Sequence, residues 1–218
     1  MAITWKDATT TEKFFYIYFA VTFIGAIVLL VGFHPKEFGI VVQGRTIDYD
    51  PEKMVVTVIL DAKQDAKKPD YSILPPAKFK LPEQIYMRGP EPRAGKRAKL
   101  DLEKNEIVIF DDATQNFLKI PIKVVEKKEG VKRDDPLVKD KKFPIIDKEK
   151  STITLYSARL RVLSTIEVPK EHIDRAPKTW EAGDEVRIYY HPKECDAQTG
   201  ICKAHKFMNI TRTDIFKK

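Results

Sequence analysis

Cysteine is scarce, with two in 218 residues, and no Cys-x-x-Cys-His run exists to carry a covalent haem. The chain also has no nucleophile elbow, no phosphate-binding glycine loop and no His-Glu-x-x-His helix. Nothing in it nominates an enzyme, and the expectation is a non-catalytic protein. It has little charge of one sign: 39 basic residues stand against 32 acidic ones for a net +7. That dispersed excess, with no recognised binding motif beside it, reads as a solvated surface and excludes nucleic acid as the expected partner.

One long apolar run is present. Phe14 to Phe33 holds no charged side chain, and at about 1.5 Å per residue it spans roughly the 30 Å hydrocarbon core of a bilayer. A cleavable signal peptide has a shorter apolar core and a small-x-small site, whereas this run ends in Gly-Phe-His34-Pro-Lys36. The expectation is therefore a signal-anchor, a single-pass transmembrane helix over 14–33 behind a tail of residues 1–13. Tyr16, Tyr18, Lys13 and Lys36 suit the two interfaces. Basic residues do not decide the orientation, because Lys6 and Lys13 precede the helix and Lys36, Arg45 and Lys53 follow it. The cysteine pair, Cys195 and Cys202, points to an oxidising compartment, so the soluble part is expected on the periplasmic side.

Beyond the anchor the apolar pattern alternates at period two, in Ile40 to Val42, Met54 to Leu60, Glu106 to Phe110, Thr152 to Tyr156 and Glu185 to Tyr190. Period two means strands, and the fold class is mainly β. Three segments share an acidic turn followed by a strand: Ile47 to Lys53, Leu100 to Lys104 and Ile146 to Lys150. Each reads as a hairpin, matching Asp48 to Asp101 and Asp147.

A larger internal match aligns Phe79–Gly95 with Ile166–Gly183 around one extra residue. Pro82, Arg88, Pro90 and Ala94-Gly95 answer Pro169, Arg175, Pro177 and Ala182-Gly183. Downstream, Phe117 to Ile120 answers Phe207 to Ile210. Self-similarity of this kind implies a duplication. The expected organisation is two small tandem β-barrel-like units, OB-like or SH3-like: residues 39–125, a flexible charged linker 126–142, and residues 143–218. Residues 62–78, polar and proline-rich, are expected as a surface loop.

The densest set of potential ligands is His191, Cys195, Cys202 and His205, with Met208 just beyond. A hairpin in which Cys195 faces Cys202 across a short tip has the geometry for a disulfide, and this is the expected state. The spacing His-x3-Cys-x6-Cys-x2-His also offers two ligands from each strand to a tetrahedral zinc. The run Cys202-x2-His205-x2-Met208 resembles the ligand loop of blue-copper proteins, where a thiolate, two imidazoles and a thioether hold copper. That resemblance requires a second histidine from an earlier loop, and only His172 or His191 is available. His34 and His172 otherwise read as an interfacial and a solvated residue.

Anchor, β modules and the lack of a catalytic constellation together suit an accessory, structural subunit. Its partners would be other subunits of an integral membrane complex, of electron transport or the cell envelope. No cofactor is expected. The alternative is a membrane-tethered carrier that binds zinc, copper or a small ligand through the 191–208 cluster.

Overall fold

A computed structural model of the chain describes residues 10, 38–65 and 68–213. The expected membrane segment 14–33 lies outside these residues, as does His34. Among the described residues, no helix is long and apolar enough to cross a membrane. From Gly39 onward the chain is one compact, mainly β unit.

Its strands are β1 (Ile40–Asp50), β2 (Val55–Leu60), β3 (Ile73–Lys80), β4 (Arg97–Asp101), β5 (Glu106–Asp111), β6 (Asn116–Pro121), β7 (Lys123–Lys128), β8 (Ile145–Asp147), β9 (Thr152–Ser157), β10 (Val162–Glu167), β11 (Glu185–Cys195) and β12 (Ile201–Asn209). One-turn helices α1 (Ile85–Arg88) and α2 (Lys170–Ile173) follow β3 and β10.

Five strands close a barrel in the order β1-β11-β12-β3-β2, with β2 pairing back to β1. Every pair is antiparallel except β12 with β3, where Cys202 lies opposite Phe79. Alternation explains the interior. Val56 and Val58 of β2 point inward with no exposure, because β-branched side chains two apart share one face of a pleated strand. They pack on Phe79, Val186, Ile188 and Phe207. The strand β1 pairs with both neighbours by bending at a bulge between Thr46 and Asp48.

The remaining strands form a three-stranded sheet, β4-β5-β6, and a four-stranded sheet, β7-β10-β9-β8. Ile107, Ile109 and Ile120 of the first join Ile153, Leu155 and Ile166 of the second in one core, which also takes in Trp180.

This pairing departs from the expected tandem boundaries. The last two strands of the chain, β11 and β12, complete a barrel with β1 to β3, while β4 to β6 share their core with β8 to β10. Each segment thus lends its later strands to the other. A linear reading missed this, because hydrophobic alternation identifies strands but not their partners. Residues 126–142 are not a free linker either. Strand β7 pairs with β10 through Leu163 opposite Lys128, and Val131 and Val138 are buried with Leu163. Part of the expected loop 62–78 is strand β3, whose Ala77 lies opposite Val58.

The three acidic turns share a geometry, in a register different from the expected one. Asp50, Asp101 and Asp147 each accept the backbone N–H three residues on, from Lys53, Lys104 and Lys150 at 3.0, 3.0 and 3.1 Å. Met54, Asn105 and Ser151 then take positive φ of 51, 53 and 52°. The carbonyls of these same residues accept N–H groups from Leu81, Ile122 and Val168 at 2.8, 2.9 and 2.9 Å. Asp50, not Asp48, is therefore the counterpart of Asp101 and Asp147.

The two Ala-Gly segments cross one another. Arg97 N–H donates to Glu181 O and Asp184 N–H to Arg93 O, both at 2.9 Å, with Lys96 and Ala182 bridged between them. Thr46 of β1 lies against the crossing: its N–H donates to Asp184 O at 2.9 Å and its carbonyl accepts from Gly95 N–H at 3.2 Å. Asp184 is almost fully buried and is satisfied by Arg93 N–H at 2.9 Å and Asn209 Nδ2 at 2.8 Å.

Candidate functional site

The end of the β11–β12 hairpin carries the residues that the sequence singled out. Asp196 shapes its tip. The carboxylate accepts N–H groups from Gln198 and Thr199 at 2.8 and 2.7 Å, and Gly200, at φ +67°, closes the turn through its N–H to Asp196 O at 2.8 Å. This tip brings Cys195 opposite Cys202, and the two form a disulfide. Backbone donors hold the Asp196 carboxyl below the usual carboxylate range, Thr199 N–H first.

The disulfide changes the metal readings. With the two sulfurs bonded to each other, neither is a thiolate, the form in which cysteine ligates zinc or copper. The set Cys195, Cys202 and two histidines is thus replaced in this oxidised form. Met208 does not join it either. It lies opposite Arg187, three positions beyond His205, which at about 3.3 Å per residue is roughly 10 Å along the strand. His172 sits apart on α2.

His191 and His205 do come together, with ring centroids 4.9 Å apart and nearly perpendicular planes. Tyr189 packs edge-on against both rings, its hydroxyl 3.3 Å from His191 Nε2. A third residue completes the group. Glu194 places Oε2 2.9 Å from His205 Nε2, and the donor atoms of His191, Glu194 and His205 all lie within 4.8 Å of one another. Two imidazoles and a carboxylate are the donors of an open tetrahedral zinc site, which needs ligand atoms at about 2.0–2.2 Å. Glu194 does not stand out in the sequence because it sits beside Cys195, whose spacing to Cys202 and the two histidines already completes a ligand set. Its signal was available: it stands three positions from His191 across a hairpin from His205.

The model of a family described as a domain of unknown function (DUF4881) matches residues 37–218. No curated protein and no solved structure matches the chain.

Proposed function

The chain belongs to the DUF4881 family, and from its own residues we propose that it is a non-catalytic accessory subunit of an integral membrane complex. In this reading, segment 14–33 anchors it by a single pass and the β unit docks on neighbouring subunits. The observation that carries the reading is α1. Ile85 and Tyr86 are 72 and 80% exposed, and Met87 beside them is also exposed. A soluble monomer rarely gathers large apolar side chains on one exposed turn without a partner. The counterpart helix α2 is polar and buries its Ile173, so the apolar turn is particular to the first segment. That segment also follows directly on the anchor.

We read the barrel as OB-like, since its third and last strands pair in parallel and its first strand closes on the second and fourth. The two crossed segments are read as a duplication whose halves exchanged strands. The disulfide supports an extracytoplasmic, periplasmic location, because such bonds persist in oxidising compartments. Extraction in mild detergent, followed by identification of what co-purifies, tests the assignment. A protein that leaves the membrane alone and as a monomer would overturn it.

A second reading, a membrane-tethered carrier, rests on the approach of His191, Glu194 and His205. In it the site takes zinc through two imidazoles and a carboxylate. A zinc titration of oxidised protein discriminates the two readings.

A further inference from the structure

Beside the crossing of residues 93–97 and 181–184 lies a cavity of about 180 Å³. Arg93, Arg97, Trp180 and Glu181 give its wall polar groups, and Phe143 and Leu155 give it an apolar side. Two of these residues are unsatisfied. Trp180 has no exposure, yet its indole Nε1 has no hydrogen-bond partner. Arg97 Nε is likewise sealed and unpartnered, and among the described residues no carboxylate pairs with Arg97.

The charge that acts on Arg97 is another cation, Arg45, which is already engaged with Glu185 at 3.0 Å. Arg93 stands on the rim and shares Asp184 at 3.3 Å. Arg97 is half-buried, and a guanidinium partly withdrawn from water without a counter-ion is unfavourable, a cost that a bound anion would offset.

We propose that this cavity binds a small organic anion, with its carboxylate or phosphate head on Arg97 and its apolar body against Phe143 and Leu155. The planar guanidinium fork matches such a head. The cavity is smaller than the usual pocket for a drug-sized ligand, so the body is about the size of one aromatic ring. Glu181 disfavours a ligand of several charges. The proposal is independent of the docking role of α1.

The chain carries a reporter of its own. Its two tryptophans are Trp5 and Trp180, so Trp5→Phe leaves the cavity residue as the one indole. Full-length Trp5→Phe protein in detergent would be titrated with benzoate, phenyl phosphate and neutral benzamide while Trp180 emission and melting temperature are followed. Benzoate or phenyl phosphate should shift the emission saturably and raise the melting temperature, and benzamide should do neither. Adding Arg97→Met should weaken anion binding by roughly ten-fold or more, and without ligand it should melt no lower than its parent, because an uncompensated charge has gone. Arg97→Lys, which keeps the charge and loses the fork, should fold normally and bind more weakly. No saturable response to either anion would overturn the proposal. So would unchanged binding in Arg97→Met, an equal response to benzamide, or a marked loss of stability in unliganded Arg97→Met.

Discussion

Gly95 and Gly183 press together where the two segments cross: a Cβ built on Gly183 would stand 3.0 Å from the Gly95 nitrogen and would collide with the carbonyl oxygen of Thr46. The crossing therefore requires hydrogen at that position because of space, since backbone surrounds it and cannot step aside. Gly183→Ala should destabilise the protein by about 1–3 kcal/mol, as overpacking does elsewhere. Urea denaturation would measure it. Gly95→Ala should act in the same direction, because its Cβ would meet Glu181 backbone and the Gly183 nitrogen. The double variant should cost less than the sum, since each Cβ also presses on the other glycine's nitrogen and one separation of the two segments would relieve both. Additive losses would mean that the two glycines do not share one contact.

Those two glycines were legible in the sequence as the aligned Ala-Gly pairs, yet their contact was not. Period-two runs located the strand centres, as Val56 and Val58 or Ile153 and Leu155 illustrate, because the pleat imposes that spacing locally. The closure of the barrel by β11 and β12 on β1 to β3 was invisible, since Val186 and Ile188 would read the same against any partner. At the hairpin, Cys195 and Cys202 announced themselves by rarity, whereas Glu194 is one of many acidic residues until His205 lies opposite. Arg97 and Trp180 carried no spacing signal at all. Their interest arises from missing partners, which only a packed structure reveals.

The disulfide closes a short loop, and the chain-entropy relation assigns such a bridge about 2.5 kcal/mol. Cys195→Ser with Cys202→Ser should lose roughly that amount in a urea titration. Reductant should lower the stability of the natural chain and leave the double variant unchanged. Equal sensitivity of both proteins to reductant would sink the assignment.

Acid sensitivity should be traceable to Asp111. Arg175 reaches it from the loop after α2 at 3.2 Å, and with the Thr114 hydroxyl it holds the Asp111 carboxyl below its ordinary value. A carboxyl depressed by folding stabilises fully above its unfolded pKa, about 3.9, and the contribution is lost as pH falls through the lower folded value. Asp111→Asn should thus cost less than about 1 kcal/mol at neutral pH, since the pair is partly solvated. The gap between variant and natural chain should close as pH drops below about 4. A gap that persists undiminished at low pH would assign the loss to packing.

Zinc should bind the oxidised protein if His191, Glu194 and His205 are its donors. Calorimetry without reductant should find one equivalent, and His205→Ala should abolish the signal. Removing Cys195 and Cys202 should leave zinc uptake in place, because neither sulfur supplies a donor. Uptake that begins only after reduction would return the site to the thiolates and discard the carboxylate.

The proposed docking role of α1 is separable from folding. Its three apolar residues contribute nothing to the buried core, and Gly89, at φ 60°, ends the turn without involving Ile85 or Tyr86 side chains. Ile85→Ser with Tyr86→Ser should therefore leave the melting temperature within about four degrees, in keeping with surface substitutions that each shift stability by no more than about 0.5 kcal/mol. The same pair should release the protein from any complex that co-purifies with it, because apolar anchors dominate the energy of an interface while the surrounding rim adds little. Lys170→Ser with Glu171→Ser on α2, the counterpart turn, should leave association intact. If both pairs of variants co-purify equally well, the partner is held elsewhere and α1 is a solvent-facing turn.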